Sequence, residues 1–504
     1  MPRYIMAHDL GTSGHKCSVF DETGHAVAWA SLAYPTYYGE GGEAEQHPDD
    51  WWDAVVRSTR LVLDRVRPSD IAAVGFSAHM MAVCPADRCG RPLGRALIHA
   101  DTRSAPLAGE AFRLLDSDRL YERTGNRLDS RYPLLKLMWL KRRRPDAYRE
   151  AAYFLQPKDY LAGRMSGTFG VTDYSDASLT GIFDIHGCRW DDGIAEAFGI
   201  DRAKLPDIVP SATLVGGVTA EAAAETGLAP GTPVALGGGD GSCAALGAGA
   251  IAPGEAYVYI GTTAWVSRAA AAPAADEKKR IFTMCGPEAG LYYGIGTMQA
   301  AGAAHQWAAR ELGSRGAPQE DPYVRLEEEI GRLPWGSNGL VFHPYLQGER
   351  SPVWNEEARG LFFGLESGHT RFHMARAVME GVGYGLRSIA EALRGTEPAA
   401  CYAAIGGGMK SPAWREIVAS ALDAPIRVPA QTEAATSLGA AMAAGVAVGM
   451  YADYADARRR FARETAEVAP KADRGRVLEG YRLYVELYER LRDLYPRLRT
   501  LRGY

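Results

Sequence analysis

The chain opens on Tyr4-Ile5-Met6-Ala7, a short apolar run, then Asp9-Leu10-Gly11-Thr12-Ser13-Gly14, then Lys16-Cys17-Ser18-Val19-Phe20. After the turn residues Asp21-Glu22-Thr23-Gly24 a further run extends from His25 to Ala33. Short β-prone segments punctuated by glycine and hydroxyl residues predict strand, glycine turn, strand, turn, strand. About half the chain later the pattern returns. Ala256-Tyr257-Val258-Tyr259-Ile260 is β-prone, Gly261-Thr262-Thr263 breaks it, and Ala264-Trp265-Val266-Ser267 resumes it. Two hairpins with Gly-Thr at the tip, at corresponding places in two halves, predict a duplicated α/β unit with a cleft between the copies. Helical spacing of apolar residues predicts helices over 48–64, 134–149, 300–312, 372–393, 412–422 and 433–448, and strand-like runs fall at 71–77, 234–237 and 403–405. This alternation is that of an α/β architecture. Ser411-Pro412 is a helix start, serine as cap and proline in the first turn. The stretch 478–494, with Leu and Tyr at helical spacing, reads as a helix docked on the core.

At 504 residues the chain exceeds one ordinary core, so two domains are expected, with the chain crossing between them near 235–255. Hydrophobic residues at 47% and charged residues at 23% are a globular balance. A net charge of −5 without a basic arm speaks against nucleic-acid binding. The start lacks the apolar run of a signal peptide, and Ser437 to Met450 is too short and too rich in Ala and Gly to span a membrane. Seven scattered cysteines, Cys84 and Cys89 being the closest pair, fit free thiols in a reducing cytoplasm.

The densest candidate chemistry is GGGDGSCAALGAG, beginning at Gly237, where glycines surround one carboxylate, Asp240. A linker, a tight packing point and a close approach to a ligand are all consistent with that spelling. The Gly-Thr tips offer backbone N–H groups and hydroxyls to a phosphate. Asp9, at the mouth of the first turn, can hold Mg²⁺ through water, and Lys16 can lie across the phosphates; the plain alternative is a hairpin whose aspartate caps its own turn. The dipeptide Gly-Lys is absent, so a P-loop is unsupported, and there is no HExxH. His8 reads as a strand residue. Ile405-Gly406-Gly407-Gly408-Met409-Lys410 precedes the capped helix at Pro412 and reads either as a nucleoside site or as a tight strand–helix turn.

Together these motifs resemble the FGGY carbohydrate kinases of the actin-like, ribonuclease H-like ATPase superfamily, over nearly the whole chain. Asp9-x-Gly-Thr-x-x-x-Lys16 resembles the family's first phosphate hairpin. Pro133-x-x-Lys136-x-x-Trp139 resembles its first signature. Gly360 to Leu365 followed by His373 to Glu380 resembles its second, and Gly348-Glu349-Arg350-Ser351-Pro352 and Glu45-Gln46-x-Pro48-x-x-Trp51-Trp52 are also family-like. The resemblance implies two ribonuclease H-like domains, 1–245 and 246–504, the first binding sugar and ending on the catalytic base, the second binding nucleotide. It implies that Asp240 accepts the proton of a sugar hydroxyl as that oxygen attacks the γ-phosphoryl group of ATP. Gly11, Thr12, Ser13, Lys16, Gly261, Thr262 and Thr263 would line the phosphates; Gly302 and Ala303 would approach the nucleotide, and Gly407, Gly408 and Met409 would flank adenine and ribose. Asp9 would act through Mg²⁺. Members are often dimers, and no membrane partner is implied.

The sugar segment departs from the xylulokinase-like branch. In Ser77-Ala78-His79-Met80-Met81, His79 stands where glutamine is usual and Met81 where histidine is usual, while Met80 agrees. In His99-Ala100-Asp101-Thr102-Arg103, histidine replaces tryptophan. His79, Met80, Met81, Asp101 and Asp240 are the expected sugar contacts, and D-xylulose is the first candidate substrate, with gluconate, L-ribulose or another polyol as alternatives. An actin-like ATPase without sugar transfer shares the hairpins but leaves the two signatures unexplained. A catalytically dead sugar sensor requires loss of the base, yet Asp240 is present.

Overall fold

The computed structural model describes residues 4–274, 276–312, 322–393, 398–429, 432–461 and 465–502. Two sheets of seven strands each form its frame. The first contains β1 (Tyr4–Leu10), β2 (Gly14–Phe20), β3 (Ala26–Ala33), β4 (Ile71–Ala78), β5 (Leu214–Gly217), β6 (Pro233–Ala235) and β7 (Gly238–Gly239) in the order β5-β6-β4-β1-β2-β3, with β7 paired to the end of β4. The second contains β8 (Ala256–Ile260), β9 (Ala264–Ala270), β10 (Phe282–Cys285), β11 (Tyr292–Met298), β12 (Tyr402–Ile405), β13 (Ile426–Pro429) and β14 (Thr465–Val468) in the order β10-β11-β9-β8-β12-β13-β14. In both, three consecutive antiparallel strands are extended by a parallel one: β3-β2-β1 by β4, and β11-β9-β8 by β12. The fold is therefore α/β, two ribonuclease H-like units of the actin-like kind.

The helices that matter below are α1 (Pro48–Leu63), α2 (Pro133–Arg143), α3 (Asp240–Gly247), α4 (Gly302–Leu312), α5 (Arg371–Leu393), α6 (Pro412–Leu422), α7 (Ala435–Ala447) and α8 (Arg474–Leu491). Strands β1 and β4 are apolar at nearly every position because both faces are covered. On one face Met6, Val74 and Phe76 pack with Trp51 and Val55 of α1. On the other, Ile5, Ala7 and Ala73 pack with Ala440, Ala441 and Ala444 of α7. The run from Ser437 is thus a helix packed between elements, as its small residues predict. Among the described residues no helix is long and apolar enough to cross a membrane.

Helix α7 also crosses α3 at backbone contact. A Cβ on Gly247 would lie 1.9 Å from the Ala435 carbonyl oxygen, and one on Gly439 would lie 2.0 Å from that of Cys243. Part of the glycine in GGGDGSCAALGAG is therefore there to let two helices touch.

Three boundaries differ from the sequence reading. The helix expected over 134–149 is two, α2 and Pro145–Glu150, because Pro145 cannot continue α2 and Arg144 turns out of helical backbone at ψ 60. The strand expected over 234–237 ends at Ala235, and the chain re-enters the sheet at β7 after Gly237, whose φ of 76 breaks the extended run. The C-terminal helix ends at Leu491 and is followed by a short turn of helix at Arg492–Leu494. Its inner face docks as expected: Tyr484 Oη accepts from Tyr345 Oη at 2.9 Å, and its carbonyl bonds the His343 ring.

Candidate active site

Asp240 is the first residue of α3, directly after β7. Strand β7 pairs Gly238 with Ser77 of β4, and Ser77 is itself opposite Asp9 of β1. Three neighbouring strands therefore deliver Asp9 and Asp240 to one edge. Burial raises the Asp240 carboxyl to about 7, the charge of Asp9 adds to the rise, and the Gly241 N–H opposes it. Burial raises Asp9 to about 6, opposed by Lys16, its partner across the β1–β2 ladder. Two carboxyls sharing a desolvated site repel each other's ionisation, and a carboxylate near neutrality is matched to proton abstraction at physiological pH.

The backbone under Asp240 is anchored. The Gly239 N–H donates to Ser175 Oγ at 2.9 Å, and Ser175 Oγ and Ser211 Oγ donate to Asp173 at 2.6 and 2.8 Å. Lys158 Nζ lies 3.0 Å from Asp173 and 3.1 Å from Asp176 and also pairs with Asp159, all of these side chains being buried. From the other half, Tyr257 Oη donates to the Gly241 carbonyl at 3.1 Å and accepts from Trp265 Nε1 at 3.0 Å. The second hairpin is thereby docked on the first turn of α3, and Tyr259, stacked on Trp265 at 3.9 Å, feels the charges of Asp240 and Asp9.

Both Gly-Thr turns are braced by hydrogen bonds. Gly11 N–H bonds the Gly14 carbonyl at 2.9 Å; Tyr34 Oη donates to the Gly11 carbonyl, and Gln46 Nε2 to that of Thr12 at 2.7 Å. Gln46 in turn accepts from Trp51 Nε1 at 2.9 Å. The Glu45-to-Trp52 motif is thus a brace for the first turn. Ser13 is exposed at its tip. In the second turn Gly261 N–H bonds Thr263, and Gly302 and Ala303 at the start of α4 donate to the carbonyls of Gly261 and Thr262 at 2.9 and 3.0 Å. A Cβ on Gly302 would lie 2.2 Å from the Gly261 oxygen, so only glycine allows this seam. Gly408 packs on Ile260 at the end of β8, and Gly407 faces Glu433. The Met409 side chain is buried in the second core, and its carbonyl accepts from Arg415 Nε at 2.6 Å. Lys16 Nζ donates to the Glu433 carbonyl at 3.1 Å, and the Glu433 side chain pairs with Lys410 at 2.7 Å, which joins the first hairpin to the glycine cluster across the crevice.

In the segment expected to meet the sugar, the His79 N–H bonds the Leu10 carbonyl at 2.8 Å, and among the described residues neither of its ring nitrogens has a partner. The ring lies edge-on to Trp51 and His99, each at 5.9 Å. Burial holds His79 well below the usual histidine value and His99 at about 4, so both are neutral and can donate and accept. Met80 packs against Gly239 and Gly241. Met81 has left-handed backbone, φ 62, and its carbonyl accepts from Lys136 Nζ at 2.7 Å. Asp101 is placed differently: both oxygens are engaged by Arg103, one also by the Ala44 N–H at 3.0 Å, and Arg103 continues to Glu45. The Asp101 oxygens tie Arg103 to the Ala44 backbone rather than standing free.

A cavity of 180 Å³ opens between the halves, lined by Arg127, Asp129 and Arg131 from the first and by Gln299, Glu349 and Arg350 from the second. The charges of Arg350 and Arg131 reach His99, so this cavity adjoins His99. A larger open basin of 680 Å³ beside Trp52, Arg164 and Glu225 shares none of these residues. Three features lay beyond the sequence reading. The role of Lys136 was signalled only by the P-x-x-K signature, that of Arg350 only by its Gly-Glu-Arg-Ser-Pro context, and nothing in the spacing marked the buried Lys158–Asp173–Asp176 cluster.

Comparison with known proteins agrees with this geometry. The N-terminal domain of the FGGY family of carbohydrate kinases matches residues 4–247, and the C-terminal domain of the same family matches 256–448. A xylulose kinase from Bacillus subtilis is 31% identical over 99% of both chains, and a gluconokinase from the same organism is 33% identical over 90% of this chain and 88% of its own. A gluconate kinase and a ligand-bound xylulose kinase, both from Lactobacillus acidophilus, superpose with TM-scores of 0.91 at 27% identity, covering 99% and 98% of this chain and all of theirs. With both domain descriptions matched in order and relatives aligned from end to end, this chain belongs to the FGGY family of carbohydrate kinases and is an ATP-dependent sugar phosphotransferase.

Proposed function

We propose that the enzyme phosphorylates a hydroxyl of a ketose or polyol, D-xylulose giving D-xylulose 5-phosphate being the first candidate. The observation that carries this reading is Asp240, held near neutrality where the two halves meet, with the sugar segment His79–Met81 on one side and the Gly-Thr turns on the other. In this reading residues 1–245 hold the sugar and end on the base, and 246–504 hold the nucleotide. His79 bonds sugar hydroxyls through either ring nitrogen. Asp240 takes the proton as the sugar oxygen attacks the γ-phosphoryl group. Positioning and charge neutralisation then carry most of the rate. The backbone amides of Thr12, Ser13, Thr262 and Thr263 grip the phosphates, with Gly11 and Gly261 closing the turns that present them, and Gly407 and Gly408 border the nucleoside. Closure of the crevice excludes water that would otherwise accept the phosphoryl group.

The paired carboxyls of Asp9 and Asp240 fit a divalent cation, since Mg²⁺ in phosphate sites uses one or two carboxylates plus phosphate oxygens. Asp9 would hold it through water, and it would neutralise charge on the phosphates.

Gluconate is the second reading. It is favoured by the arginines of the interlobe cavity beside His99 and by the similarity to gluconokinases. The test is ADP release with D-xylulose, gluconate and L-ribulose. Sugar-stimulated turnover, abolished in Asp240→Asn while ATP binding persists, supports the mechanism. Robust ADP release independent of every sugar refutes it.

A further inference from the structure

The two halves also meet away from the crevice. Residues 183–190 of the first half form a small hairpin, Phe183–Asp184 paired with Arg189–Trp190, and its turn carries Cys188 in left-handed backbone, φ 49. This region lies along β10, the edge strand of the second sheet. Tyr121 Oη donates to the Ile281 carbonyl at 2.8 Å, the Thr283 N–H to that of Gly125 at 2.8 Å, and the Cys285 N–H to Ser178 Oγ at 3.0 Å. The seam sets the half-exposed Cys188 thiol beside the buried Cys285 thiol, and each acts on the other's ionisation. Tyr292, opposite Cys285 on the β10–β11 ladder, brings its hydroxyl within 3.2 Å of Cys188 Sγ. The neighbouring Cys285 thiol, reinforced by the Tyr292 hydroxyl, draws the Cys188 thiol down to about 6, so its thiolate is populated at neutral pH. The same pairing pushes Cys285 well up.

We propose that Cys188 and Cys285 are a reversible modification site that closes to a disulfide in the presence of a peroxide and fastens the two halves of the kinase together. The Cys188 thiolate attacks one peroxide oxygen; the O–O bond breaks and the leaving hydroxide takes up a proton as water. The Cys285 sulfur then attacks Cys188 Sγ, the S–O bond breaks, and hydroxide leaves with the Cys285 proton as a second water. Two thiols lose two electrons while one peroxide becomes two waters. Both cysteines neighbour Tyr292, Cys188 through its sulfur and Cys285 across the β10–β11 ladder, so forming a bond of about 2.05 Å calls on movement at the hairpin turn rather than refolding. Among the described residues no hydrogen bond joins either cysteine to the residues assigned to sugar or phosphate, so the cross-link acts by restricting rotation of one half against the other, a motion that sets turnover in many enzymes that close on substrate.

The test uses the full chain carrying Cys89→Ser and Cys401→Ser, which removes the other accessible thiols. After hydrogen peroxide and alkylation, peptide mapping is expected to find residues 188 and 285 in one cross-linked species, lighter by two hydrogens and separated by dithiothreitol. Turnover is expected to fall with cross-linking and return on reduction, while Cys188→Ser and Cys285→Ser keep their activity through the same treatment. Recovery of Cys285 as an alkylated thiol with Cys188 carried to the sulfinic acid overturns the proposal, as does a complete cross-link that leaves turnover unchanged. Because mapping needs no substrate, its failure leaves the kinase reading untouched.

Discussion

Replacing Asp240 by Asn removes a charge that the fold bears at a cost. Burial and Asp9 raise this carboxyl from 3.8 to about 7. In the unfolded chain it ionises near 3.8 and in the native protein near 7, so between those values the native state holds a proton that the unfolded state has lost. Stability relative to the neutral form therefore declines as pH rises from about 4 to about 7 and is constant beyond. At ~1.4 kcal/mol per unit the full penalty is ~4 kcal/mol, and the solvent contact that Asp240 keeps brings it nearer ~2 kcal/mol. Asparagine fills the same space without charge and also relieves Asp9. Urea unfolding of both proteins, without nucleotide, at pH 4.5 and pH 8.5 reads this directly. The variant is expected to be more stable than wild type by ~2–4 kcal/mol at pH 8.5, with most of that advantage gone at pH 4.5, while phosphoryl transfer is lost at both. An advantage that does not change with pH, or a variant less stable than wild type at pH 8.5, refutes the reasoning.

The same carboxyl fixes a pH profile: kcat/KM is expected to fall as pH drops through about 7, where Asp240 becomes protonated, and a profile flat down to pH 5 contradicts its role as base. Lys158→Met leaves Asp159, Asp173 and Asp176 buried without their cation and is expected to destabilise by ~3–5 kcal/mol, seen as a lowered urea midpoint. His79→Ala is expected to raise the sugar KM about ten-fold through loss of a hydrogen bond worth ~1 kcal/mol or slightly more, with the KM for ATP unmoved; an equal change in both would mean a structural role.

The hairpins were legible because their signal is local. Apolar runs of the right length flank Gly-Thr turns, and backbone sterics translate that spelling directly into strand and turn. Helix α6 was equally local, a serine cap followed by proline. The 134–149 helix failed at a local feature, Pro145, which outweighs favourable residues on either side. Lys158 was illegible for a different reason. Its carboxylate partners Asp173 and Asp176 are contributed by a separate segment, and a lysine beside an aspartate in sequence reads as a solvated surface pair.

The sequence by itself determined the two Gly-Thr hairpins, the alternation of strand and helix, and the prominence of Asp240, because each is written in residues adjacent along the chain. Only the tertiary structure decided that Asp9 and Asp240 share one desolvated edge, that Lys136 holds the Met81 carbonyl, that Asp101 is consumed by Arg103, and that Cys188 meets Cys285. Those relations join residues far apart in the chain. Their energies depend on burial and on distances of a few ångströms, which chain order does not specify.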